Sequence, residues 1–278
     1  MTRFQRLAST VSIFAFLGLS AASVAQAAPE EAGQAEAARP HHHHGHGGLL
    51  GASLRLNSLS AAQRQQIESL IAQESTTHAN VRLARGQLMQ AVANGIDAGS
   101  VNDKSIAPNV QAVEGAIAGD EPSDRATLEK LHAVLTPAQR VELATRIESR
   151  VAKMEEHRAE AKDKGPRENV GPWAHGLGLS DAQRDQITAN LASAKPAVDD
   201  TLRNEERATH QHVLEAFKGD RFVMNEVAPA KDPRLIAGEV EGMVRVAKAS
   251  APVLTVDQRA TASAKLRTMA SRVATGTK

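Results

Sequence analysis

The stretch Val134–Arg140, VLTPAQR, returns almost unchanged as VLTVDQR at Val253–Arg259. Two relatives precede these copies, LSAAQRQQI from Leu59 and LSDAQRDQI from Leu179, so Leu-(Ser/Thr)-x-x-Gln-Arg occurs four times. Ser or Thr followed three residues later by Gln is the capping-box pattern: the hydroxyl accepts from the third helical N–H, and the Gln side chain returns to the cap's own N–H. The copies predict helix starts at Ser60 with Gln63, Thr136 with Gln139, Ser180 with Gln183, and Thr255 with Gln258. Each cap contributes roughly 1 kcal/mol. Pro137 at a first helical position, and Asp181 and Asp257 in first turns, suit proline's fixed φ and the helix dipole. The fourth helical position is Arg64, Arg140, Arg184 and Arg259, which leaves no hydrophobic staple; Leu59, Leu135, Leu179 and Leu254 are expected to bury elsewhere in the bundle.

Leu59 and Leu179 are 120 residues apart, and Leu135 and Leu254 are 119 apart, so the motifs fall in ABAB order and the chain reads as an internal duplication. Within the first unit Ile67, Leu70, Ile71, Glu74, His78, Val81, Leu88 and Val92 step by three or four along one stripe. This predicts one long helix ended by Asn94-Gly95. Val110, Val113, Ile117, Leu128, Leu131 and Leu135 then keep one phase across Pro122, predicting a helix kinked there or two helices in line. A last helix runs from Pro137 through Ile147, Val151 and Met154. The second unit repeats the plan with Ile187, Leu191, Val198, Leu202, Val213 and Phe217 up to Gly219, and restarts at Asp232-Pro233, an N-cap with proline behind it.

Residues 1–27 have Arg3, Arg6, an apolar run from Val11 and small residues at Ala25 and Ala27, the pattern of a cleavable secretory signal peptide. The apolar run is short of the roughly 18–20 residues of a membrane span. The expectation is an exported, soluble, periplasmic product. Without these residues the formal charge falls from +1 to −1, which argues against nucleic acid as a partner. With no cysteine, no tyrosine, one tryptophan (Trp173) and 2% aromatic residues, the composition favours long helices stabilised by packing alone, an all-α fold. The expected organisation is a disordered His-rich lead-in over 28–50, a helical unit over 51–161, a Gly/Pro linker over 162–176, a second unit over 177–273 and a tail over 274–278.

Two Leu-(Ser/Thr)-x-x-Gln boxes per unit, one opening an early helix and one following a long amphipathic helix, together with the exported start, resemble the Spy and CpxP family of periplasmic proteins. The resemblance covers most of the mature chain, LSAAQRQQI to VLTPAQRVELATRIESRVAKM and LSDAQRDQI to VLTVDQRATASAKLRTM each resembling a whole family member. It implies four helices per unit in a thin, cradle-shaped antiparallel dimer, and the activities of ATP-independent chaperones, envelope-stress regulators or metal-responsive relatives. Two units on one chain depart from that pattern, and an intramolecular pseudo-dimer is the expected outcome, monomeric in solution.

The segment HHHHGHGG supplies His41, His42, His43, His44 and His46 as candidate ligands for zinc, nickel or copper, because neutral imidazoles on a flexible chain wrap such ions. An inert solvated linker and a cloning tag are the competing readings of the same residues. His210 and His212 face different sides of a helix, and His78, His132, His157 and His175 are singletons. No cysteine nucleophile, nucleophile elbow or phosphate-binding glycine loop is present, so an enzyme is not expected and no cofactor is required. Beside a purely structural envelope role, two functions remain. One is a holdase for unfolded or misfolded periplasmic proteins. The other is a metal-binding accessory or regulator of envelope stress, with a sensor kinase as a further candidate partner. Ordered metal ligands within the helical body would favour the second.

Overall fold

The computed structural model describes residues 48–163, 176–194 and 198–276. The expected signal peptide, the lead-in up to residue 47 with His41, His42, His43, His44 and His46, and most of the linker lie outside the described residues. Secondary structure within them is entirely helical: α1 (Leu49–Ser53), α2 (Ala61–Thr77), α3 (Ala79–Asp97), α4 (Asp103–Val134), α5 (Pro137–Asp163), α6 (Asp181–Ser193), α7 (Asp200–Lys218), α8 (Met224–Val227), α9 (Pro233–Ser250) and α10 (Val256–Thr275). None of them is long and apolar enough to cross a membrane.

Four boundaries differ from the sequence reading. The lead-in was expected to reach residue 50, but Leu49 and Leu50 are helical and buried, because they join the apolar cluster around Leu131. The single helix expected from Ser60 to Asn94 is divided at His78, whose φ of −77° and ψ of 11° leave helical geometry. Just before it, the Thr76 and Thr77 hydroxyls donate to Ala72 O (3.1 Å) and Gln73 O (3.2 Å), back-bonding that bends helices. The stop expected at Asn94-Gly95 falls inside α3. Gly95 is there because a Cβ would lie 2.9 Å from Val101 Cγ2 as the chain folds back, while Gly99 (φ +77°) takes the left-handed position beyond the helix. Its N–H bonds to Ile96 O (2.9 Å) and that of Ser100 to Gly95 O (2.9 Å), a Schellman closure. The second unit breaks likewise, between Ser193 and Asp200, where Asp199 caps α7 by accepting from Leu202 N–H (2.8 Å).

α4 runs unbroken over 32 residues with Pro108 and Pro122 inside it, roughly 48 Å at 1.5 Å per residue. It links two apolar clusters. Ile106, Val113 and Ile117 enter one with Val81, Leu88, Val92 and Ile96 of α3 and Ile236, Val240, Leu254 and Leu266 from the second half. Leu128 and Leu131 enter the other with Leu56, Ile67 and Leu143 of the first half and Val213, Phe217 and Phe222 of the second. Each core thus draws on both halves of the chain. The most extensive helix pair also crosses between halves, α3 with α10, and α5 meets α7 across them. α3 and α10 approach through small residues: a Cβ on Gly86 would sit 2.9 Å from Ala274 Cβ and 3.0 Å from Ala270 O.

Candidate functional site

The four glutamines of the repeated motif do more than cap. Ser60, Ser180 and Thr255 are N-caps with both arms of the box in place, and at Thr136 the hydroxyl accepts from Gln139 N–H (3.3 Å) while the Thr136 N–H donates to Gln139 Oε1 (2.9 Å). Gln63 and Gln139 then meet as a reciprocal amide pair: Gln63 Nε2 donates to Gln139 Oε1 (2.8 Å) and Gln139 Nε2 to Gln63 Oε1 (3.2 Å). The second N–H of each reaches the chain beside the partner's cap, from Gln63 to Val134 O (2.8 Å) and from Gln139 to Ser58 O (2.8 Å). Every donor and acceptor of both amides is used. The second half repeats the arrangement, with Gln183 and Gln258 paired at 2.7 and 3.2 Å and anchored to Val253 O (3.0 Å) and Leu177 O (3.2 Å).

This geometry explains why glutamine occupies all four positions where a capping box also accepts glutamate, since a carboxylate accepts but cannot donate to its partner. The pairing is absent from the local pattern; the only sequence signal was that invariant choice of amide over acid. The motif arginines tie down neighbouring chain: Arg64 donates to Leu54 O (3.0 Å), and Arg140 pairs with Asp220 (2.9 Å) across the two halves. Beside Arg140, His132 packs between Phe217 and Phe222, with ring centroids 5.3 and 5.2 Å away, and bonds Gly219 O through Nε2 (2.9 Å). Burial holds this imidazole below its ordinary range. These residues build and lock the fold.

A different chemistry sits where α2, α3 and α4 meet. His78 is 8% exposed and its Nε2 lies 2.7 Å from Asp124 Oδ1. Glu74, one helical turn before His78, completes a set whose ligand atoms all lie within 4.8 Å of one another. The Asp124 hydrogen bond raises the His78 imidazole above its ordinary value. Burial first, then the Asp124 charge, pushes the Glu74 carboxyl up to about 7 against the pull of His78, and burial also raises Asp120. The sequence reading treated His78 as a singleton because its partner is 46 residues away.

Charged groups also fill the space between the two cores. Arg125 donates to Met224 O (2.7 Å), Ala228 O (2.6 Å), Pro229 O (3.0 Å) and Asn225 Oδ1 (3.1 Å), and Glu121 accepts from Lys231 N–H (2.8 Å). Glu239 pairs with both Lys231 and Arg85. On α7, burial pushes Glu206 up to about 8, and His210, one turn on, down to about 4. Large exposed apolar side chains are few among the described residues: Leu83 (51%), Val141 (46%) and Val256 (70%). Comparison with family models, with curated proteins and with solved structures gave no match for this chain.

Proposed function

We propose that the protein is an exported, ATP-independent holdase of the Spy/CpxP type that covers unfolding envelope proteins. The observation that carries this reading is the reciprocal exchange between halves: the second long helix of unit 1 (α3) packs on the last helix of unit 2 (α10), and the second long helix of unit 2 (α7) packs on the last helix of unit 1 (α5). Two units that complete each other's cores in this way correspond to a tethered form of the antiparallel dimer that the resemblance implies. Tethering keeps the partner unit at an effective concentration of roughly millimolar. Client contact in this reading falls to a mixed-charge surface carrying Leu83, Val141 and Val256, which makes it salt-sensitive.

The test is light scattering of a chemically unfolded client. Equimolar protein delays aggregation without nucleotide, and the delay shortens as salt rises. No delay, with or without zinc, overturns the holdase reading.

A second reading, a metal-binding envelope-stress accessory, is favoured by the Glu74, His78 and Asp124 set, because these candidate ligands belong to the helical body itself. Zinc-dependent binding of a sensor kinase's periplasmic domain, without protection of clients, is the result that selects it.

A further inference from the structure

We infer that Glu74, His78 and Asp124, with Asp120 beside them, form a binding site for one first-row divalent cation of the zinc type that clamps the α2–α3 joint to the middle of α4. The donor set is one imidazole with carboxylates, the mixture that suits zinc and its neighbours better than magnesium or calcium. Three observations carry it.

The first is convergence. The three residues come from the last turn of α2, the joint itself and α4, yet their ligand atoms lie within 4.8 Å of one another. Tetrahedral zinc with bonds of about 2.0–2.1 Å needs ligand atoms about 3.4 Å apart. Adjustments on the order of 1 Å, within reach of small χ changes, bring the set to that spacing.

The second is Asp120, one turn before Asp124 on α4. Its Oδ2 is buried with no hydrogen-bond partner, and its charge bears on His78. Asp120 lies outside the three-residue set within 4.8 Å and adds a nearby carboxylate charge that favours a cation there.

The third comes from the duplication. At the 120-residue spacing of the first motif pair, Glu74 and His78 correspond to Ala194 and Val198, and at the 119-residue spacing of the second, Asp124 corresponds to Met243. Val198 is buried with Leu202 and Leu235, so unit 2 closes the same joint with apolar side chains. Buried polar groups are costlier than such packing unless something satisfies them. A bound cation adds to the His78–Asp124 hydrogen bond (2.7 Å), and Glu74, His78 and Asp124 have no polar counterpart in unit 2, whereas Asp120 corresponds to Glu239.

The inference stands apart from client binding, and failure of the aggregation assay leaves it intact. The test uses the chain with His41, His42, His43, His44 and His46 replaced by alanine, titrated calorimetrically with zinc alone. One zinc binds per chain, and the thermal midpoint rises with zinc concentration. His78→Val, which places the sister unit's residue at the joint, reduces affinity by at least the roughly 10–100-fold that loss of an outer-shell partner costs a metal site. Asp124→Asn, which retains an acceptor for His78, weakens binding as well. X-ray absorption of the zinc-loaded, unmutated site shows one imidazole with oxygens and needs no folded variant. Absence of zinc binding to the natively helical tract-free chain, binding unchanged by His78→Val, or more than one imidazole per ion overturns the inference.

Discussion

Replacing Gln139 by alanine separates a cap from a cross-tie. If Gln139 only caps α5, the loss is about 1 kcal/mol. In the structure its amide makes four hydrogen bonds, accepting from Thr136 N–H (2.9 Å) and Gln63 Nε2 (2.8 Å), and donating to Ser58 O (2.8 Å) and Gln63 Oε1 (3.2 Å). The side chain is 5% exposed, so water does not readily replace these partners. At about 1 kcal/mol net for each bond, Gln139→Ala costs roughly 3–4 kcal/mol. For a chain of this size that lowers the thermal midpoint by about 6–15 °C. Gln139→Glu is the sharper probe: it keeps the box acceptor but turns a carboxylate toward Gln63 Oε1, and it destabilises as much as alanine does. The assay is urea unfolding followed by far-ultraviolet circular dichroism for Gln63→Ala, Gln139→Ala and the double variant. Two mutual hydrogen bonds give a coupling energy of about 2 kcal/mol between positions 76 residues apart. A loss near 1 kcal/mol with coupling below about 0.5 kcal/mol refutes the cross-tie and leaves four independent caps.

Stability is expected to depend on pH through two groups one turn apart on α7. The depressed His210 stabilises fully above its unfolded value of 6.5 and loses that contribution as pH falls through about 4; the raised Glu206 stabilises fully below 4.5 and loses its contribution as pH rises through about 8. A plateau near pH 4.5–6.5 follows, Glu206→Gln flattens its alkaline side, and a midpoint that peaks above pH 8 contradicts the assignment. Leu131→Asp places a carboxylate at a fully buried site shared with Val213 and Phe217 of the other half, and costs more than about 4 kcal/mol in the same urea assay. Gly86→Ala drives α3 and α10 apart and costs about 1–3 kcal/mol, with Gly115→Ala, which meets open space, as the neutral or stabilising control. Sizing of the purified chain gives a monomer; an obligate dimer removes the pseudo-dimer account.

What the sequence determined by itself was local. The caps at Ser60, Thr136, Ser180 and Thr255 join groups three residues apart, and the apolar stripes of α4 and α9 follow the helical period, so helix class and starts are written in short windows. Breaks within stripes were less legible, because the bend at His78 combines local threonine back-bonding with a hydrogen bond to a helix 46 residues on. Tertiary structure alone decided which helices meet. The pairing of Gln63 with Gln139 and of Gln183 with Gln258, the crossing of α3 to α10 and α5 to α7, and the meeting of Glu74, His78 and Asp124 all depend on the path the chain takes between distant segments. A glutamine at the third helical position satisfies its own cap in isolation; only when a second cap is brought against it do the two remaining N–H groups find their acceptors.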